Sequence, residues 1–417
     1  MAESIKADVL IAGAGMAGVS LALALKSGGL EPILVDPQPF EAQAAPDFDG
    51  RASAIAFSCF RQWRALGAAE AIEPHAQRIE QILVTDGRAP GAAPGLKTGA
   101  FLRFDSSEIA DRSDGEPLGY MVENRRIRAG LAQAVIAAGI QVLAPARVQS
   151  VDASGPVARV TLQDGRVIEA PLVVGSDGRT SRVRDQAGIG VVGWPYAEVG
   201  VVATVKLERP HLGVAHEHFL PSGPFAILPL TGDRASLVWT EKAARGQALK
   251  AARPEVFHAH LARRFGEFMG KAEVSGPRFA YPLALELAER MTAPRIALLG
   301  DSAHGIHPIA GQGLNLGLKD CAALAEVLVE AARLGEDIGS EAVLERYARW
   351  RRADNVALAV ATDAFNRLFS TDLAPVRIAR DIGMSLVNRI GPARRWFMQE
   401  AGGAVGDLPR LLRGEAL

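Results

Sequence analysis

The segment Gly13-Ala14-Gly15-Met16-Ala17-Gly18 lies between a short apolar run and a stretch with helical patterning. In that context its three glycines have separate tasks. The first permits a tight turn, the second lets backbone approach a pyrophosphate, and the third lets the helix pack on the strand before it. The N-terminus of the helix favours phosphate charge. Asp36 stands 36 − 18 = 18 residues after the last glycine, at the end of a second apolar run. There its carboxylate can accept hydrogen bonds from ribose hydroxyls, so the chemistry indicated is dinucleotide binding. The same letters recur in Gly188-Ile189-Gly190-Val191-Val192-Gly193, but Trp194-Pro195 follows where a helix should begin. That copy reads as coincidence.

Two later segments repeat the theme of a strand running into a glycine turn. One is Val173-Val174-Gly175-Ser176-Asp177-Gly178-Arg179, and the other is Leu298-Leu299-Gly300-Asp301-Ser302-Ala303-His304. The second continues into His307-Pro308-Ile309-Ala310-Gly311-Gln312-Gly313-Leu314-Asn315, where glycines ahead of a helix present free backbone N–H groups. Taken alone, Asp177-Gly178 suits an ordinary turn, and Arg51 and Arg125 suit surface ion pairs. His304 and His307 have a spacing that could share a helix face, but no third ligand is evident and Pro308 interrupts a helix, so no metal is expected.

Together and in order, these segments closely resemble the group A flavoprotein aromatic hydroxylases of the para-hydroxybenzoate hydroxylase type. The nearest subgroup is the ubiquinone-biosynthesis hydroxylases, which Gly223-Pro224-Phe225-Ala226-Ile227-Leu228-Pro229-Leu230 also resembles. The resemblance implies FAD, with Gly13, Gly15, Ala17, Gly18 and Asp36 on its ADP half. Arg51 and Arg125 resemble arginines that face the cofactor, and Asp177 with Gly178 matches a turn near both FAD and its reductant. Gly300 and Asp301 match the turn at the ribityl chain, while Pro308, Gly311, Gln312, Gly313, Leu314 and Asn315 match the loop along the isoalloxazine edge. Ser176 and Ser302 stand where alanine is common in the family, and neither side chain is expected to be needed.

The activity implied is hydroxylation of a polyprenylated phenol in ubiquinone biosynthesis by a flavin hydroperoxide, using O2 and an electron donor such as NAD(P)H. Another small phenol as substrate and a non-catalytic flavoprotein subunit are the alternatives. A prenyl-chain reductase and a halogenase fit less well, the latter for want of a Trp-x-Trp-x-Ile-Pro pattern. No catalytic side chain is assigned. His216, His218 and Tyr281 are candidates for polar lining of a substrate site, with a structural role the favoured alternative for each.

The elements that must position these residues follow from the hydrophobic pattern. Residues 7–12, 16–26 and 31–35 read as strand, helix and strand, and 51–65 and 125–138 as helices. Residues 78–85, 141–145 and 172–175 read as strands, and 157–162 and 166–170 as a hairpin about Asp164-Gly165. Residues 89–99, rich in Pro and Gly, read as a surface loop. From about 191 to 285 short strands (199–207, 217–220, 226–229, 235–240) indicate an antiparallel sheet with one helix at 254–269. After a strand at 295–299 the chain reads as helical.

The expected fold is therefore α/β, a Rossmann-like FAD-binding domain with an inserted antiparallel-sheet substrate domain and a helical C-terminal region. Residues 1–77, 100–186 and 286–340 would form the first, 78–99 and 187–285 the second, and 341–417 the third. A 417-residue chain with 48% hydrophobic and 22% charged residues has ample material for two cores. A net charge of −1 argues against general nucleic-acid binding, and two distant cysteines, Cys59 and Cys321, against a disulfide framework. With no signal peptide pattern or membrane span, a cytoplasmic protein is expected. Residues 365–400 carry six arginines against three acids, +6 − 3 = +3, which suits peripheral contact with an anionic membrane, a solvated cap, or a partner in a biosynthetic complex. A homo-oligomer is equally compatible.

Overall fold

The computed structural model describes residues 4–44, 49–86, 101–108, 115–220, 222–266, 268–306, 311–370, 390–391, 398, 402–403 and 406–417, with backbone alone at 86, 101 and 365–370. The expectations for 89–99, for His307 and Pro308, and for most of 365–400 lie outside these residues.

Val9–Ala12, Pro32–Val35, Gln141–Leu143, Leu172–Gly175 and Ile296–Leu298 form a parallel sheet, in the order Ile296–Leu298, Leu172–Gly175, Val9–Ala12, Pro32–Val35, Gln141–Leu143. Most of these strands are continuous apolar runs because the sheet is buried on both faces. Met16–Ser27 packs between sheet and Gln312–Arg333 so closely that a Cβ on Gly28 would lie 2.2 Å from Val329 Cγ2. From Val9–Ala12 the chain first adds strands on one side, then returns to the other with Leu172–Gly175. This reversal opens a crevice at the carboxyl ends of the two strands, the usual ligand position in open α/β sheets.

The second large sheet has nine strands. Its main path runs His304–Gly305, Phe279–Ala288, Val191–Leu207, Arg234–Lys242, Gly223–Leu230, Val214–Leu220, Gln81–Asp86, Phe101–Asp105. Side chains alternate across it. One face, with Val201, Phe225, Ile227, Leu237 and Trp239, is covered by helices Ala243–Ala251 and Pro254–Phe265. The other, with Ala215, Leu228 and Leu230, packs on Ala52, Ala54 and Met121 of a three-stranded sheet made by Ala52–Ala56, Gly119–Glu123 and Gln77–Ile79.

Two expectations are corrected, and one long strand appears where none was expected. Residues 51–65 are not one helix: Ala52–Ala56 is a strand on Gly119–Glu123, and only Phe57–Ala65 is helical. The Asn315 amide joins that strand's free edge, so pairing overrides the helix preference of alanine. Phe279–Ala288, rich in Ala and Leu and interrupted by Pro282, forms a long strand, with Pro282 beside a register shift. Ala243–Ala251 is a helix additional to the one expected at 254–269. The second glycine string behaves as expected, since Val191 to Gly193 lie in a strand and no helix follows.

Candidate functional site at the strand ends

The crevice is built by backbone contacts between loops far apart in sequence. Gly13 N donates to Val35 O at 2.7 Å, Ser176 N to Ala12 O at 2.8 Å, and Leu299 N to Gly175 O at 3.1 Å. Gly13 adopts φ +106°, and a Cβ there would lie 2.2 Å from Ser176 O. A Cβ on Gly18 would lie 2.1 Å from Gly13 O. The first and third glycines are thus required by the fold itself. Gly15 differs, because a Cβ there would meet no protein atom within 4 Å.

Gly15 caps Met16–Ser27 without a side-chain hydrogen bond, and the first turn contains no acid. Its N–H groups are therefore available to an anion. Asp36 accepts from Ala14 N and Gln38 N, each at 2.8 Å, and stays partly exposed with lone pairs to spare. A cleft at this point is lined by Ala14, Gly15, Met16, Gln43, Arg128 and Leu131, among others.

The turn at Gly300 closes on the same helix. With Gly300 at φ +57°, a Cβ there would sit 3.5 Å from Ala17 Cβ, and one on Gly317 would sit 3.2 Å from Gly300 Cα. Asp301 is exposed, with Arg179 Nε at 4.0 Å. Asp177 turns inward: it accepts from Ser181 Oγ, from Arg182 N at 2.8 Å and from Val183 N at 3.3 Å, holding the start of helix Arg182–Gln186. Ser302 corrects an expectation. Its Oγ accepts from Gly178 N at 3.1 Å and donates to Asp177 Oδ1 at 3.3 Å, so this side chain ties two of the loops together.

Gly311, at φ +64°, caps helix Gln312–Arg333, again without a side-chain bond and without an acid in the first turn. A Cβ on Gly311 would lie 3.2 Å from Ala54 Cβ, whereas one on Gly313 would be in open space. Leu314 is half-buried. Asn315 is buried, its Oδ1 accepting from Ala56 N and its Nδ2 donating to Ala54 O, both at 2.9 Å. Behind these loops Asp320 Oδ2 accepts from Gly300 N at 3.2 Å and meets His304 Nε2 at 2.5 Å, while Oδ1 accepts from Arg351 Nε at 2.9 Å. Burial would push the Asp320 carboxyl up, but His304 and Arg351 outweigh it and bring it down to about 2.

Arg51 and Arg125 are both engaged in ion pairs. Arg51 bonds Asp49, which Arg128 also reaches at 2.9 Å. Burial opposes the charge on Asp49, but the hydrogen bonds from Arg51 and Arg128 hold its carboxyl below the usual range. The Arg51 guanidinium lies 6.0 Å from the Tyr281 ring centre, and Gly50, at φ +75°, rests against Phe279. This loop therefore joins the crevice to the second sheet. Arg125 bonds Glu123 at 3.0 Å, and Glu123 also accepts from Arg234 at 2.9 Å.

For His216 and His218 strand alternation favours the structural alternative. His216 and His218 lie on the helix-covered face, His216 at 4.9 Å from the Phe268 ring and His218 hydrogen-bonded to Thr85 Oγ1 at 2.6 Å. Burial depresses both to about 4, with His216 adding to the effect on His218, so both rings are neutral near pH 7. Tyr281, in register with Gly200, lies on the opposite face, which looks toward the crevice. Sequence reasoning passed over Glu217, which shares that face, and Asp320. The alternation of strand 214–220 was the available signal for Glu217; nothing local marks Asp320.

Among the described residues no helix is long and apolar enough to cross a membrane. The family described as FAD binding domain matches residues 6–362. The chain is 45% identical over 415 residues to the ubiquinone hydroxylase UbiL of Rhodospirillum rubrum, covering 99% of this chain and 94% of that one. It is 34% identical to the 3-demethoxyubiquinol 3-hydroxylase of Escherichia coli, covering 94% and 98% respectively. The fold is similar to that of p-nitrophenol 4-monooxygenase PnpA from Pseudomonas putida, with a TM-score of 0.77 at 18% identity over 95% of this chain and 98% of that one.

Proposed function

The chain belongs to the FAD binding domain family, and from that premise we propose that it is an FAD-dependent monooxygenase hydroxylating an aromatic ring of a polyprenylated phenol in ubiquinone biosynthesis, with O2 and NAD(P)H as co-substrates. The observation that carries the cofactor reading is the crevice at Gly15. An uncapped helix start meets open space there, while the glycines on either side are held by close backbone contacts. A second uncapped helix start at Gly311 supports placing the other end of the same cofactor there.

In this reading Gly13, Gly15, Ala17, Gly18 and Asp36 hold the ADP half, with Arg51 facing the pyrophosphate and Arg125 contacting the flavin. Gly300 and Asp301 hold the middle of the cofactor. Pro308, Gly311, Gln312, Gly313, Leu314 and Asn315 form the loop along the flavin, and Asp177 and Gly178 hold their turn beside the cofactor. When bound, flavin supplies the activation of O2 and the delivery of one oxygen atom to an electron-rich ring. The chain's own groups orient the ring, exclude water and favour negative charge near the N–H groups of the Gln312 helix start.

The division of labour belongs to the same proposal. The parallel sheet with its helices binds FAD, and the nine-stranded sheet, Phe101–Asp105 included, walls the substrate. The protein would work in the cytoplasm, with the basic segment 365–400 touching an anionic membrane that holds the prenyl tail. Co-sedimentation with anionic vesicles at low salt, lost in a variant without those arginines, tests that contact.

The central reading predicts that purified protein is yellow and binds FAD, and that it consumes O2 when given a phenolic substrate. Protein that stays colourless with excess FAD overturns it. Deleting the gene should make an under-hydroxylated quinone precursor accumulate, as read by mass spectrometry; an unchanged quinone pool removes the pathway assignment.

A further inference from the structure

We propose that Glu217 contacts the phenolic hydroxyl of the substrate and accepts its proton as the ring is hydroxylated; this rests on the monooxygenase reading above. Glu217 lies in strand Val214–Leu220 between His216 and His218. Those two rings lie under the helical layer with Phe268, so alternation turns the Glu217 side chain to the opposite face. Its cross-strand neighbours there are Val84 and Ala226, and Ala215 and Phe219 flank it along the strand. All four are apolar.

Its position relative to the crevice follows from contacts already described. Ala215 belongs to the cluster that takes in Ala52 and Ala54, and the Gly311 turn rests on Ala54. Glu217 is one pleat further along the strand, about 6.7 Å from Ala215. Its carboxyl thus lies on the sheet face that carries the Ala52 and Ala54 contact, and helix Glu341–Ser370 packs against the same strand.

Within the described residues no hydrogen bond or ion pair engages this carboxyl, and no charged group acts on it. The side chain is only partly buried, whereas Ala215 and Phe219 on either side are buried. A partly exposed carboxyl among apolar neighbours, lacking a partner among the described residues, is suited to a ligand that brings one. Burial pushes it up to about 8, close to the working pH that suits a general base.

The step balances without any further reagent. The phenol O–H bond breaks, an O–H bond forms at Glu217, and the negative charge passes from the carboxylate to the phenolate oxygen. Conjugation carries that charge into the ring, which makes its carbons better nucleophiles toward an electrophilic oxygen. Glu217 then returns the proton to the phenolate oxygen of the product.

The test uses holo-protein and its Glu217→Gln and Glu217→Asp variants, with 2-prenylphenol as the probe. Ultraviolet difference spectra over about pH 6 to 9 report whether the bound phenol ionises. The wild type should show a phenolate band that grows with pH, Glu217→Asp a weaker one, and Glu217→Gln none. Glu217→Gln should keep its flavin and hydroxylate about 100-fold more slowly, mainly in kcat. An unchanged phenolate band and pH profile in Glu217→Gln overturns the proposal. Wild-type protein that takes up no flavin would instead defeat the monooxygenase reading, and the phenol spectra would remain readable.

Discussion

Gly13 and Gly15 occupy one turn but meet opposite surroundings, and substitution should separate them. At Gly13 a methyl group would strike Ser176 O, and its positive φ disfavours any side chain. Gly13→Ala should therefore lower the thermal midpoint of the apo-protein as well as flavin retention. Gly15 has φ −69° and open space around its Cβ position. Gly15→Ala should leave the apo-protein's midpoint unchanged and weaken FAD binding roughly tenfold, about 1.4 kcal/mol, measured by fluorescence titration. Equal loss of stability in both variants would contradict this division. Glu217 has its own signature in pH. Its folded carboxyl is raised from the usual 4.5 to about 8, so the native state binds the extra proton in that window and stability falls as pH rises through it. Glu217→Gln should gain thermal stability over the wild type on going from about pH 6 to 9. His216 and His218 act in the other direction. Depressed from 6.5 to about 4, they withdraw stability as pH falls through that interval.

Among the elements, helix Gln312–Arg333 binds the site together, because its first turns serve both an uncapped N-terminus and the edge of strand Ala52–Ala56. Asn315→Ala would leave Ala56 N–H and Ala54 O without partners. It should cost about 2–3 kcal/mol in urea unfolding, and no cost would show that the edge finds other partners. This strand also shows where sequence patterns lose their force. VLIA, PILV and LVVG were legible as strands because burial on both faces imposes an apolar run. The glycine turns were legible because backbone crowding at Gly13 and Gly18 leaves no alternative residue. ASAIA and FAYPLALELA were not, because only distant partners make them strands. At His216 and His218 it is the strand face, not the residue type, that decides between lining a site and a structural role. Ser302 was missed for a different reason: its hydroxyl bonds a loop 124 residues away, and nothing local announces it.

On the scale of the whole molecule, the nine-stranded sheet separates an inner face from an outer one. His216→Gln alters only the outer face and should leave hydroxylation close to wild type. A large fall in kcat at unchanged flavin content would move that ring to the reacting side. The parallel sheet places a different demand on the chain. Val9–Ala12 is made first and is soon joined by Pro32–Val35, but its other neighbour arrives only with Leu172–Gly175, and the next strand only at Ile296–Leu298. A ribosome must pass residue 298 of 417 before this layer is complete, and the glycines at 311 and 313 emerge later still. Until then growing polypeptide exposes unpaired strand edges with nothing to close them. Flavin capture therefore belongs to the end of synthesis, once both uncapped helix starts have left the ribosome.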